Sequence, residues 1–191
     1  MIESLSKNLK SCRRCNLYKT RHQIVIGRGN PKAKILLIGE APGNSEDLIG
    51  EPFVGMSGRL LDDLIIDAGI SLNDCFITNC VLCHPTNTLG GENRAPKREE
   101  ILLCAENLSK IFDSISFFYV ILIGEFARKY YLKRFPNAVC IYHPAYILRT
   151  GGKKSQYYLK TKNQLIDLRE CMENDFKKSG KSIRSENTDR L

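Results

Sequence analysis

The sequence predicts an α/β domain, a three-layer α/β/α sandwich around a central four-stranded, mainly parallel sheet. Two observations carry this. Four short, nearly continuous apolar runs, at residues 34–38, 75–82, 118–123 and 139–142, are bounded by turn-forming or polar residues. Runs of that length read as strands buried on both faces, and such strands belong to parallel sheets covered by helices. Between and after them, apolar residues recur at helical spacing, as in Leu60, Leu61, Leu64, Ile65 and Ala68, the pattern of a core-facing helix. Strands alternating with helices give a sheet with helices on both faces. The 191 residues suffice for one such core. A single domain is expected over residues 1–176, with a disordered basic tail over 177–191.

The elements follow in chain order. Residues 1–33 are basic and amphipathic around Cys12-Arg13-Arg14-Cys15. Cys-x-x-Cys brings two thiolates within reach of one metal. A redox pair normally follows a strand and opens a helix; the surroundings here are Lys, Arg and Asn, with no strand before them. Gly27 to Pro31 makes a turn. The first strand ends in Gly39-Glu40-Ala41-Pro42-Gly43, and in parallel sheets the working residues sit just past the strands' carboxyl ends. Glu40 holds that place, either as a functional acid or as an exposed residue of a plain turn. Asn44 to Asp47 reads as a polar loop. Phe53, between Pro52 and Gly55, is either a stacking platform or a core plug. A helix is expected from Arg59 to Gly69.

Asn79 interrupts the second strand, and a buried Asn must find partners or have a ligand supply them. Cys83-His84-Pro85 leads into a long loop, Thr86 to Ala95. Pro96 suits a first helical position, and Cys104 falls on or near the helix that follows. A basic helix, Phe126 to Phe135, comes after the third strand. The fourth strand ends at His143, which Pro144 keeps out of helical conformation. A basic loop, Thr150 to Lys154, and a helix from Ser155 to about Asp175 complete the domain. The polar residues after Lys177 read as frayed.

Composition narrows the function. No apolar run approaches a membrane span, and Met1-Ile2-Glu3-Ser4 has no signal-peptide shape, so a cytoplasmic protein is expected. Eight cysteines in such a chain point to a metal or cluster rather than disulfides. The net charge is +8, and residues 126–166 hold nine Lys or Arg and no acid. A stretch of one sign fits a polyanion, most commonly nucleic acid, or a solvated basic surface. Glu40, Asn79 and His143 fall at three strand tips on one sheet edge, and together they describe a pocket.

These residues carry a resemblance. Gly39-Glu40-Ala41-Pro42-Gly43 with Glu46-Asp47, Pro52-Phe53-Val54-Gly55 with Ser57-Gly58, Thr78-Asn79, Cys83-x-Pro85, Asn93-Arg94-x-Pro96 and His143-Pro144-Ala145-Tyr146-Ile147-Leu148-Arg149 resemble, in order, the motifs of the family 4 uracil-DNA glycosylases. The likeness spans about residues 8 to 170. It implies an enzyme that excises uracil from DNA and a [4Fe-4S] cluster on Cys12, Cys15, Cys83 and Cys104; a monomer is expected, and single- and double-stranded DNA both stay open as substrate. Ligand count alone allows zinc. Cys80-x-x-Cys83 offers a rival pair, but Cys80 adjoins Asn79 in a strand and points to the other face. Glu40, His143, Glu46 and Asn93 are the implied catalytic set, with Gly39, Ala41, Phe53 and Asn79 around the base. Ser57, Leu148, Arg149, Lys153 and Lys154 are the implied DNA contacts, on a loop pressed into the duplex at residues 147–149. Some relatives in the wider superfamily carry Asp at the place of Ala41. The segment 86–92 is longer than the family pattern and lacks the His of cross-linking relatives. Hypoxanthine or xanthine as substrate, a non-catalytic cluster-bearing DNA-binding module, and replication or repair proteins as partners stay open at this point.

Overall fold

The centre of the computed structural model, which describes residues 2–186 and the side chains of residues 5–178, is strand β2 (Ile35–Gly39), every residue of it buried. It pairs in parallel with β3 (Cys75–Asn79) on one side and β4 (Tyr119–Ile123) on the other, and β4 pairs in parallel with β5 (Val139–Ile141). The four expected strands are all present and parallel. A fifth, β1 (Arg28–Gly29), adds antiparallel to β3, giving the order β1-β3-β2-β4-β5. Only a turn was expected there. The glycines explain the difference. A Cβ on Gly29 would lie 2.2 Å from the Cys75 carbonyl oxygen, and one on Gly27 2.5 Å from the Phe76 ring. Without side chains the turn lies flat against β3 and pairs with it.

Alternation along β2 builds two cores, because successive side chains leave opposite faces of the sheet. Leu36 and Ile38 face α1 (Ile2–Leu9), α4 (Arg98–Asp113) and α5 (Gly124–Tyr131), packing with Leu9, Leu108, Phe112 and Ala127. Ile35 and Leu37 face α3 (Met56–Asp67), α6 (Pro144–Arg149) and α7 (Gln156–Glu186), packing with Leu61, Leu64, Ile147 and Leu165. This is the expected three-layer sandwich.

Helix ends depart from expectation where short-range chemistry prevails over periodicity. Residues 44–47, expected as a loop, open helix α2 (Asn44–Ile49). Glu46 and Asp47 favour its positive N-terminal end, and Gly50 closes it at φ 87°. Helix α3 begins at Met56 rather than Arg59, since Gly58 lets its first turn lie directly on the Phe53 backbone; a Cβ there would meet the Phe53 carbonyl oxygen at 1.7 Å. Residues 144–149 are helical rather than a projecting loop, with His143 as N-cap and Pro144 in the first turn. Helix α7 continues through Glu186, past the expected stop near Asp175, with no proline to interrupt it. The remainder of the expected tail, 187–191, lies outside the described residues. Among the described residues no helix is long and apolar enough to cross a membrane.

Candidate active site

Parallel register brings the key residues together. Gly39 stands opposite Asn79 at the carboxyl ends of β2 and β3, Glu40 follows one residue later, and His143 lies just beyond β5. All three tips open on one cavity of about 250 Å³, whose wall holds Glu40, Asn79 and His143 together with Phe53, Glu46 and Asn93. Ala41 and Ser57 also line it.

Asn79 is the most constrained member. It is 2% exposed, and its side-chain oxygen is buried with no hydrogen-bond partner. Gly39 sits behind it without lining the cavity. A Cβ on Gly39 would lie 2.5 Å from that oxygen and 2.6 Å from the Phe53 ring, so glycine is what lets amide and ring approach. Phe53 adopts φ 57°, a left-handed conformation that bulky side chains rarely take and that costs of order 1–3 kcal/mol. The contact with Gly58 holds it there. The ring is thus fixed against the cavity, its centroid 6.0 Å from that of His143 and tilted by 32°.

His143 caps α6. Its Nδ1 accepts from the Ala145 N–H at 3.2 Å, so in the neutral ring the proton sits on Nε2. Burial, and then the Arg149 charge, lower its pKa from the ordinary 6.5, which favours that neutral form. Gly124, at φ 82°, makes room for the ring's base; a Cβ there would lie 3.0 Å from the His143 Cβ. Glu40 is half-buried, and burial raises its carboxyl above the ordinary 4.5. Among the described residues no side chain hydrogen-bonds it. Glu46 is committed elsewhere. Its carboxylate accepts from the backbone N–H groups of Gly43, Val54 and Gly55 at 3.2, 3.1 and 3.4 Å, tying the Glu40 turn to the Phe53 segment.

Asn93 reaches the cavity from the long loop. The Arg94 N–H bonds the Pro85 carbonyl at 3.0 Å, so Pro85 and Asn93 stay at the cavity while residues 86–92 loop away from it. The Thr86 hydroxyl bonds Thr88 and the Gly91 N–H bonds Thr88. Arg94 also lines the cavity, with its guanidinium held by both Glu100 oxygens at 2.9 and 2.6 Å. Asn93 Oδ1 lies 2.6 Å from Nε2 of His84, a fully buried residue that the sequence placed only as a link between Cys83 and Pro85. Beyond His84 lies Asp47, also fully buried and bonded by His22. Nothing local marks His84 or Asp47 as partners, since the contacts join residues far apart in the chain.

The expected DNA contacts divide. Arg149 and Lys154 are exposed at the end of α6 and the turn after it. Lys153 is paired with Asp63 at 3.0 Å and Asp67 at 3.8 Å, which leaves Lys154 the freer charge. Leu148 is half-buried against the core, and Ile147 is wholly inside it, so neither projects as a loop would.

Cys12, Cys15, Cys83 and Cys104 line one small pocket together with Arg21 and Asn107, while Pro85 and Asn93, further along the same segment as Cys83, line the cavity. Three of the sulfurs already accept N–H groups: Cys83 from Arg21 at 3.0 Å, Cys12 from Asn107 at 3.3 Å and Cys104 from Leu82 at 3.4 Å. Donors of this kind suit thiolate ligands. Burial pushes the Cys83 thiol up to about 11 and that of Cys104 up to about 12. Among the described residues no three His, Cys, Asp or Glu side chains gather closely enough to hold a single metal ion. Cys12, Cys15, Cys83 and Cys104 nonetheless all line that one pocket. Cys80, expected within the strand, lies one residue past the end of β3; it is buried in the same core as Cys83 and Cys104 but does not line that pocket. Cys75 is buried in the other core, Cys140 is half-buried and Cys171 is exposed.

Comparison with known proteins accords with this geometry. The sequence profile of the Uracil DNA glycosylase superfamily matches residues 26–166. A type-4 uracil-DNA glycosylase of Archaeoglobus fulgidus is 35% identical over 94% of this chain and 92% of its own length. That of Thermotoga maritima is 31% identical over 97% and 96%, and that of Saccharolobus solfataricus 41% identical over 70% and 60%. A strand-tip pocket built on these motifs, and alignment at 31–35% identity along more than nine-tenths of two such relatives, place the chain in the type-4 uracil-DNA glycosylase family.

Proposed function

We propose that the protein removes uracil from DNA by hydrolysing the N-glycosidic bond of an extruded deoxyuridine. The observation that carries this is the buried, unpartnered Asn79 oxygen at the wall of a cavity that also presents an acid, an imidazole and a fixed aromatic ring. An unsatisfied buried acceptor costs about 1–3 kcal/mol, and an N–H from a ligand offsets it. Uracil N3–H supplies that donor, while the Asn79 NH₂ meets uracil O4. Cytosine presents an acceptor at N3 and a donor at position 4, which reverses both contacts. A site that must satisfy a buried polar edge rejects the reversed edge strongly.

The base reaches the site only after leaving the stack, which costs roughly a few kcal/mol. Phe53 stacks on it. As the bond to the sugar breaks, negative charge collects on uracil O2, where the His143 Nε2–H stabilises it. Donors preorganised in this way are worth about 3–4 kcal/mol each. Glu40, with no competing partner, orients the water and takes its proton. Ala41 provides no carboxylate for that task, and Glu46 is occupied by backbone amides. Arg149 and Lys154 contact the phosphate backbone.

Cys12, Cys15, Cys83 and Cys104 line one pocket, a four-thiolate set that either zinc or a [4Fe-4S] cluster could take, and the cluster is assigned on the likeness to the type-4 family. Through these four cysteines such a group would tie residues 12–15 to the segment after β3 and to α4, a structural role. A brown protein with visible absorption that Cys83→Ala abolishes is expected; a colourless protein containing one zinc overturns the assignment.

The function is tested by incubating the protein with oligonucleotides carrying one uracil, hypoxanthine, xanthine or thymine, followed by alkali. Scission at uracil is expected. Scission at the purines alone would make it a related deaminated-base glycosylase, and tight binding without scission a non-catalytic module.

A further inference from the structure

We infer that His84 is a positioning residue that fixes the Asn93 amide so that its NH₂ group, and not its oxygen, faces the cavity. The inference rests on the glycosylase reading above and divides the labour within that site. His84 is wholly buried and touches the chemistry only through Asn93.

The hydrogen-bond inventory forces the orientation. A side-chain carbonyl oxygen only accepts, so the 2.6 Å contact between Asn93 Oδ1 and His84 Nε2 requires the hydrogen on Nε2. The other ring nitrogen, Nδ1, is buried without a partner. Its nearest acid oxygen, Asp47 Oδ2, is 3.9 Å away, outside hydrogen-bond reach. That carboxylate is already taken: Oδ2 accepts from the His22 N–H at 2.9 Å and from its Nδ1 at 2.8 Å, and Oδ1 from the Gln23 N–H at 3.3 Å. The ring therefore gives its hydrogen to Asn93. With Oδ1 held, the amide nitrogen points along the Gly43 side of the cavity; a Cβ on Gly43 would lie 3.4 Å from Asn93 Nδ2 and 3.8 Å from Oδ1.

The chemical consequence is definite. An amide NH₂ donates to a water oxygen or to a substrate oxygen, but it cannot accept a proton from water. Asn93 therefore holds the nucleophile or the substrate, and Glu40 alone accepts the proton. Without His84 the amide is free to turn over and present its oxygen, which misplaces the group without emptying the site.

The test is single-turnover excision from a uracil oligonucleotide, with DNA affinity and visible absorption measured in parallel. His84→Leu removes the donor and His84→Gln restores an N–H at similar reach. Loss of one buried hydrogen bond that sets geometry predicts a rate about 10–100-fold lower for His84→Leu, at unchanged DNA affinity and absorption, with His84→Gln recovering most of it. A His84→Leu rate within about twofold of wild type, or a His84→Gln protein as slow as His84→Leu, overturns the inference. Should His84→Leu fail to fold, Asn93→Asp decides. A carboxylate still accepts from His84 but offers only oxygen to the cavity, so Asn93→Asp is expected to be at least as slow as Asn93→Ala. A near-wild-type rate for Asn93→Asp shows that an acceptor is what the cavity needs and overturns the inference. A wild type inert on uracil sinks the glycosylase reading and this inference with it, a different result from an active wild type indifferent to His84.

Discussion

Two titratable residues at the cavity are held away from their ordinary behaviour, in opposite senses. Burial raises the Glu40 pKa and lowers that of His143, so both neutral forms are favoured in the folded protein. For Glu40 the sign is explicit. A raised folded pKa adds stability below the unfolded value, and that contribution is lost as pH rises through the folded one. At pH 7 the ionised carboxylate, the form the proposed reaction needs, therefore lowers stability. Glu40→Gln is expected to melt higher than wild type at pH 7, with the gap closing towards pH 4, and to lose most of the excision rate. The acid limb of the wild-type kcat/KM profile should centre above 4.5, and Glu40→Gln should abolish it; a limb that persists in the variant contradicts the assignment of Glu40 as proton acceptor. Glu40, Asn79 and His143 were legible in the sequence because each interrupts or ends an apolar run. His84 was not. Its meaning depends on Asn93, nine residues away across a loop, and on Asp47 from another element, and no local pattern marks such meetings.

Elements were legible in proportion to their length and periodicity. The four parallel strands and the cores of α3 and α4 declare themselves, because a buried strand is a solid apolar run and a packed helix has a repeating face. The two-residue β1 and the six-residue α2 and α6 are too short for periodicity to register; capping chemistry and glycine contacts make them. Strand β2 carries the two sides of the fold, so its substitutions are felt in both. Leu37→Ala removes a fully buried side chain from the α3–α7 core and should cost about 2–5 kcal/mol, read from urea unfolding. A loss under 1 kcal/mol would mean that the β2 core is not as closely packed as described.

Across the whole molecule, the cavity and the cysteine pocket both draw on a single segment, Cys83 to Asn93, and the basic stretch 126–166 borders the cavity through His143 and α6. A groove of about 680 Å³, lined by Glu125, Arg128, Tyr142, Tyr146 and Lys160, adjoins the cavity across His143; Arg128 is paired there with Glu125 at 2.7 Å, which leaves Lys160, among the described residues, as its free positive charge. DNA affinity should therefore fall steeply as salt rises. Lys154→Ala should reduce the slope of log affinity against log salt by roughly 1, and Lys153→Ala should change it little, since Asp63 and Asp67 already neutralise that charge. Equal effects of the two would contradict the division read from their ion pairs.

Base selection is proposed to rest on the buried Asn79 amide, which reads the edge of an extruded pyrimidine. It is tested most directly by single-turnover excision from matched oligonucleotides carrying uracil or cytosine, with wild type and Asn79→Asp compared. Wild type should cleave uracil only, and Asn79→Asp should lose at least about 100-fold on uracil and with it most of the discrimination between the two bases. An Asn79→Asp protein that cuts uracil at the wild-type rate and still refuses cytosine would contradict the account.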